Sequence, residues 1–379
     1  MKEVLELSEP DGIEGAPHPR ETVALFGHED AERAFLDAFA AGALHHAWLI
    51  AGPEGIGKAT LAWRAARFLL AGPQAAAGPS LFAEAPPAPP ATLDIGADHP
   101  VARRVAALSE PRLFLLRRGP NQKGDGLSEL IRVDEIRRLA DFLHLTAADG
   151  GRRAVILDAA DEMNAAAANA LLKFLEEPPK DVTFLIVSHR PSSLLPTIRS
   201  RCRMLRLSPL SGPPFSAALA AAGFDPGAGA SALAELSAGS PGQSIRLILA
   251  EGAETYGRIV GLFAGPGFRD HAQAIAFAER AGRKGADAAT DAAFLLAETF
   301  LARLARRGAA GALPEAAPGE AAVLARLSPG PAAAREWAGV LEAVAARNRH
   351  GRAVNLDPVT LLLDMVLKIS ETAGRLAPG

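Results

Sequence analysis

Residues 52 to 58 read Gly-Pro-Glu-Gly-Ile-Gly-Lys, between the apolar run His46-Ala47-Trp48-Leu49-Ile50-Ala51 and a segment, Leu61 to Leu70, with Leu61, Ala65, Phe68 and Leu69 at helical spacing. Strand, glycine turn and helix in that order constrain the chain strongly. The spacing is that of a phosphate-binding loop, in which backbone N–H groups at a helix N-terminus cradle phosphates and the lysine reaches the outer ones. Gly52, Gly55, Gly57 and Lys58 are therefore the candidate nucleotide contacts. The bland reading is a glycine-rich turn with no ligand, and the strand and helix on either side favour the degenerate nucleotide site over it.

One atom of the motif is missing. A working loop places a Ser or Thr hydroxyl on magnesium directly after the lysine, and Ala59 stands there. Thr60 does not replace it, because one step along a helix turns a side chain by about 100°. A second apolar strand, Ala154-Val155-Ile156-Leu157, ends in Asp158, the residue type that orients the metal. The next position, where a water-activating Glu belongs, is Ala159. Asp161 and Glu162 read as capping residues for a helix over Asn164 to Leu175. Two losses at separate catalytic positions argue against intrinsic hydrolysis, while Lys58 and the loop amides leave binding of ATP without hydrolysis open.

The chain has 379 residues, 49% of them hydrophobic, enough for more than one core. Strand and helix alternate from about Phe26 to Leu207, including a further strand over Thr183 to Ser188. Residues 1–207 therefore read as an α/β domain with a parallel sheet. An Ala/Pro-rich stretch at 71–100, centred on Pro86-Pro87-Ala88-Pro89-Pro90, reads as a mobile surface insertion. Alanine-rich helices at Phe215 to Ala222, Ala230 to Ala238 and Gln243 to Leu249 make 208–252 a small helical domain. Longer helices, clearest at Ala289 to Arg306 and Ala333 to Arg347 around a loop at Gly311 to Gly319, make 253–379 another.

A net charge of −3 gives no global sign of a sequence-specific nucleic-acid reader or a polybasic membrane binder. Arg112, Arg117, Arg118 and Lys123, and likewise Arg303, Arg306 and Arg307, read as solvated helix faces or loops, the first group with a lesser prospect of touching DNA or a partner. No apolar run approaches the ~20 residues that a membrane span needs. The acidic N-terminal stretch, with Glu3, Glu6, Glu9 and Asp11, does not read as a secretory signal. No membrane association and a cytoplasmic location are expected. Cys202 is the single cysteine, which excludes both an internal disulfide and a four-cysteine zinc site. It reads as a buried small apolar residue.

The tract Asn169-Ala170-Leu171-Leu172-Lys173-Phe174-Leu175-Glu176-Glu177-Pro178-Pro179, followed by Ser200-Arg201-Cys202, resembles the bacterial clamp-loader subfamily of AAA+ proteins. Ile131 to Arg137 is similar to the segment before that family's second core strand, and Gly239-Ser240-Pro241-Gly242 to its lid motif, with Gly242 near the place of a nucleotide-sensing arginine. The resemblance implies an AAA+ P-loop domain at 1–207, a helical lid at 208–252 and a helical collar at 253–379 that holds a five-subunit ring. The chain departs from the family in lacking the zinc module that many members carry. The resemblance further implies that Arg201 acts as an arginine finger in trans, in the nucleotide site of a neighbouring subunit, with Arg199 either sharing that interface or forming a surface salt bridge. The partners it implies are clamp-loader ATPase subunits of the gamma/tau type, a delta subunit, the sliding clamp and, through the complex, primer-template DNA. No cofactor is required for such an accessory role. An active AAA+ ATPase motor subunit is the alternative, and an inert P-loop scaffold is a third reading.

Overall fold

The computed structural model describes residues 9–72, 89–121, 126–144, 151–265, 271–283 and 285–376. The chain divides into two compact units, one of Met1–Phe224 with Ser240–Gly242 and the other of Asp225–Gly239 with Gln243–Gly379.

The first unit is built on five strands, β1 (Ala47–Ala51), β2 (Leu113–Leu116), β3 (Arg153–Leu157), β4 (Val182–Ser188) and β5 (Arg203–Arg206). All pair in parallel, in the order β2-β3-β4-β1-β5. β1 and β4 are buried at every residue, as continuous apolar runs are when helices cover both faces of a parallel sheet. Side-chain alternation along β1 sends Trp48 and Ile50 into one core with helices α1 (Glu29–Ala40), α2 (Lys58–Ala71) and α3 (Pro100–Ala106). Ala47 and Leu49 enter the opposite core with α4 (Val133–His144), α5 (Ala165–Glu176) and α6 (Pro196–Arg199). Helix α7 (Gly212–Ala221) ends this unit's helices. Each fully buried Leu, Ile or Phe contributes about 1.5–3 kcal/mol relative to exposure, so these two layers fix the sheet on which the site is mounted.

Three local expectations change. Residues 73–88 of the insertion lie outside the described residues, but Leu93 and Ile95 are buried in the α2 core and Pro100 opens α3. The end of the insertion is thus packed, because its apolar side chains find the sheet. Asn164 Oδ1 caps α5 by accepting from Ala167 N at 2.8 Å, and Asp161 has other partners. The first arginine group is neither solvated nor free: Arg112 donates to Glu110 at 2.9 Å and to Leu70 O at 3.0 Å, Arg117 pairs with Glu9 and Asp11, and Arg118 with Glu162 at 3.0 Å. Lys123 lies outside the described residues.

The second unit is helical, with α8 (Ala230–Leu236), α9 (Pro241–Leu249), α10 (Gly252–Leu262), α11 (His271–Ala281), α12 (Asp287–Ala310), α13 (Glu320–Leu327), α14 (Pro331–Ala353) and α15 (Pro358–Leu376). Helix α12 passes close to the α13–α14 turn because Gly308 has no side chain; a Cβ there would stand 2.5 Å from Ser328 Oγ. Arg303, expected on a solvated face, is instead 1% exposed. Its Nε donates to Glu320 Oε1 and its Nη1 to Glu235 Oε2, both at 2.6 Å, and Tyr256 Oη donates to the same Glu320 oxygen at 2.6 Å. Burying a guanidinium is tolerable only with this degree of pairing. Among the described residues no helix is long and apolar enough to cross a membrane.

Candidate functional site

Parallel pairing in register brings the ends of the strands together. Ala51 lies beside Ser188, and Leu116 beside Leu157. Gly52, Asp158, His189 and Arg117 therefore all emerge at the carboxyl edge of the sheet, where open α/β sheets bind ligands. Gly52 and Gly57 hold φ of 158° and 106°, and a Cβ on Gly52 would sit 2.5 Å from Leu207 O. The loop therefore needs glycine at both places. His28, which no sequence pattern marks, bonds through Nε2 to Ile56 O at 2.9 Å, and burial holds its pKa below the usual imidazole range.

Lys58 is buried, and its Nζ donates to Pro53 O within its own loop. Burial, which disfavours the charged form, lowers its pKa to about 8, against the upward pull of Asp158, Glu54 and Asp161. Above the loop, Ser240 Oγ donates to Glu54 O at 2.7 Å and Gly242 N to Gly55 O at 2.8 Å. A Cβ on Gly242 would lie 2.8 Å from Gly55 Cα, so the position matched to a sensing arginine is in backbone contact with the loop and has no room for a side chain.

Asp158 follows β3 directly, and its N–H donates to Leu116 O at 3.0 Å. Burial, reinforced by the nearby Asp11 carboxylate and opposed by Lys58, pushes its pKa up to about 7. Asp161 ties down the end of β4, accepting from Ser188 Oγ at 2.9 Å, from Arg190 N at 3.1 Å and from His189 N. Burial works to raise its pKa, yet the donated hydrogen bonds hold it below the usual carboxylate value. Glu162 is raised, chiefly by burial, despite Arg118. A magnesium nucleotide is held by a hydroxyl after the lysine and by an aspartate, and hydrolysis adds a residue that orients the attacking water. This edge offers Ala59 and Ala159 at the first and last of these positions and keeps the aspartate, Asp158. Loop amides and Lys58 suit a phosphate; the residues do not fit the metal.

Arg201 stands at the opposite edge. Arg203 pairs with Trp48 at the start of the sheet, and Arg201 precedes it, on the turn after α6 whose Ile198 is buried. From this amino edge to Gly52 is roughly 15–20 Å at ~3.3 Å per residue. Arg201 and Lys58 thus lie on opposite edges of the sheet. The Arg201 side chain is 34% exposed, its Nη2 lying 2.9 Å from Glu176 Oε1 and its Nη1 donating to Thr197 O at 3.0 Å. Glu176 is visible in the sequence only as part of a longer tract, because nothing local shows that a residue so far upstream meets Arg201. Arg199 forms no ion pair among the described residues. Cys202 is half-buried against the α5 core, and burial pushes its thiol up to about 12. The Arg203 guanidinium covers the Trp48 ring at 4.9 Å.

A family model described as DNA polymerase III, delta subunit, matches residues 97–211, a stretch that holds Asp158, Glu176 and Arg201. The DNA polymerase III subunit delta′ of Pseudomonas aeruginosa is 40% identical over 204 residues, 53% of this chain and 55% of that protein. The delta′ subunit of Escherichia coli is 40% identical over 118 residues, 30% of this chain and 34% of that one. A gamma/tau subunit of Mycobacterium tuberculosis is 29% identical over 183 residues, 48% of this chain and 28% of that one. The match thus spans about half, or less, of the length of these relatives. Over the matched stretches the chain is similar to delta′ and gamma/tau subunits of DNA polymerase III.

Proposed function

We propose that this chain is a non-catalytic subunit of a DNA polymerase III clamp loader and lends Arg201 to the nucleotide site of an adjacent ATPase subunit. The observation that carries this reading is the separation of the two edges. Arg201 is out of reach of its own Lys58 and is exposed at the amino edge, where a head-to-tail neighbour would present its carboxyl edge. A guanidinium delivered in this way stabilises charge on a transferring phosphoryl group. The absent hydroxyl at Ala59 and absent carboxylate at Ala159 support a role that needs no nucleotide turnover in the chain's own loop. The partners in this reading are gamma/tau-type ATPase subunits, a delta subunit and the sliding clamp, with primer-template DNA engaged by the whole complex.

The test is Arg201→Ala in the assembled complex. Hydrolysis at the one site served by Arg201 should fall by about 10³-fold or more, seen as loss of that site's share of a pre-steady-state burst, while co-purification of the subunits is retained. An unchanged burst would overturn the reading. ATP turnover by the isolated chain that disappears in Lys58→Ala would replace it with a motor-subunit role.

A further inference from the structure

The contact between Arg201 and Glu176 has no explanation in the stability of the elements that carry it. Glu176 is the last residue of α5, where the helix macrodipole is negative and a carboxylate is disfavoured. Both side chains keep substantial exposure, 34% for Arg201 and 48% for Glu176. A pair this open to water contributes little to folding. The platform beneath it is nevertheless firm. The preceding carbonyl, Leu175 O, bonds to His46 Nε2 at 3.1 Å beside β1, and Leu175 itself is buried. A rigid helix end thus presents one carboxylate to one guanidinium edge, while Thr197 O engages the other Nη group.

We propose that Glu176 is a positioning residue for Arg201, a docking carboxylate that holds the guanidinium on the chain's own surface until phosphate charge on the neighbouring subunit displaces it. The proposal rests on the arginine-finger reading above. Both ligands are planar-fork partners for arginine, and a polyphosphate carries more charge than one carboxylate, so the exchange is favourable once a charged site is in reach. Keeping Glu176 paired during transfer would place a like charge beside the developing phosphoryl charge, so the finger works only after leaving it. Exposure keeps that exchange easy.

The experiment compares Glu176→Gln, Glu176→Asp, Arg201→Ala and the Glu176→Gln/Arg201→Ala double variant in the complex reconstituted with its ATPase subunits. Glu176→Gln removes the competing charge and should raise the rate of the burst component from the site served by Arg201 about 1.5- to 5-fold, the range corresponding to release of an exposed ion pair. The gain should shrink toward unity as ionic strength rises, because salt weakens the pair in the unmutated chain. Glu176→Asp retains the charge and should reverse most of the gain, and the double variant should be as slow as Arg201→Ala. A rate lowered or unmoved by Glu176→Gln, with Arg201→Ala still slow, would overturn the docking role and leave the finger intact. A normal rate in Arg201→Ala would overturn both.

Discussion

Two arginines in this molecule have similar partners and opposite circumstances. Arg201 in the sheet unit and Arg303 in the helical unit each face a glutamate carboxylate and a backbone carbonyl, Glu176 and Thr197 O for the first, Glu320 and Pro314 O for the second. Arg303 is 1% exposed, its side chain bonded also to Glu235, and Glu320 has no exposed surface. Arg201 sits at a rim open to water. Buried, such a pair cannot be opened without stranding a charge; exposed, water replaces the partner at little cost. Burial, together with the added bond to Glu235, makes Arg303 a fixture, while Arg201 stays open to water.

The sharpest way to break this comparison is Arg303→Ala, which leaves Glu320 buried without its countercharge. A loss of about 3–5 kcal/mol is expected, measured by denaturant unfolding. A loss under ~1 kcal/mol would show that the buried network is slack. The same network sets a pH dependence. Burial works to raise the Glu320 pKa, but the Arg303 and Tyr256 hydrogen bonds outweigh it and hold the pKa below its ordinary 4.5. The native state therefore binds fewer protons than the unfolded state near that pH. The stabilisation is present above the ordinary carboxylate value and is lost as pH falls through the lower native value. Unfolding midpoints measured downward from about pH 5 should decline, and the Glu320 component of that slope should be absent in Glu320→Gln.

Tyr256→Phe removes one donor to Glu320 while Arg303 and the Ala316 N–H keep their bonds. A smaller loss of about 1–3 kcal/mol is expected, the cost of leaving a buried acceptor short of a partner. Smallest of all should be Arg201→Ala in the isolated chain, with an unfolding change of about 0–1 kcal/mol. A large loss there would make Arg201 a structural residue and would remove the ground for the proposed role in ATP hydrolysis.

Much of the carboxyl edge is legible in the sequence because its signals are local. The glycines at 52, 55 and 57, Lys58, and Asp158 after an apolar strand are contiguous runs whose chemistry follows from residue type and spacing. The amino edge is legible in Arg201 but not in Glu176, since side chains from α5 and the turn after α6 meet only once both are mounted on the sheet. Arg303 reads wrongly from sequence for the same reason: nothing within α12 tells a solvated arginine from one facing Glu235 and Glu320 on other helices. Asp161, read as a cap, shows that an acidic residue just before a helix start loses that role when Asn164 is better placed and the β4 end offers several donors.

The sequence by itself determined that a parallel sheet would carry the glycine-lysine loop at 52–58, and that Ala59 and Ala159 would bring neither a hydroxyl nor a carboxylate to it. Covalent structure decides which atoms exist, and no fold can restore a missing oxygen at Ala59 or Ala159. Tertiary structure alone decided that Gly242 would rest on Gly55, that Arg303 would be buried, and that Arg201 would stand a sheet's length from Lys58 with Glu176 beside it. Those outcomes depend on which distant residues share a face and how much water is left between them, and strand register and helix packing fix both only when the chain has folded.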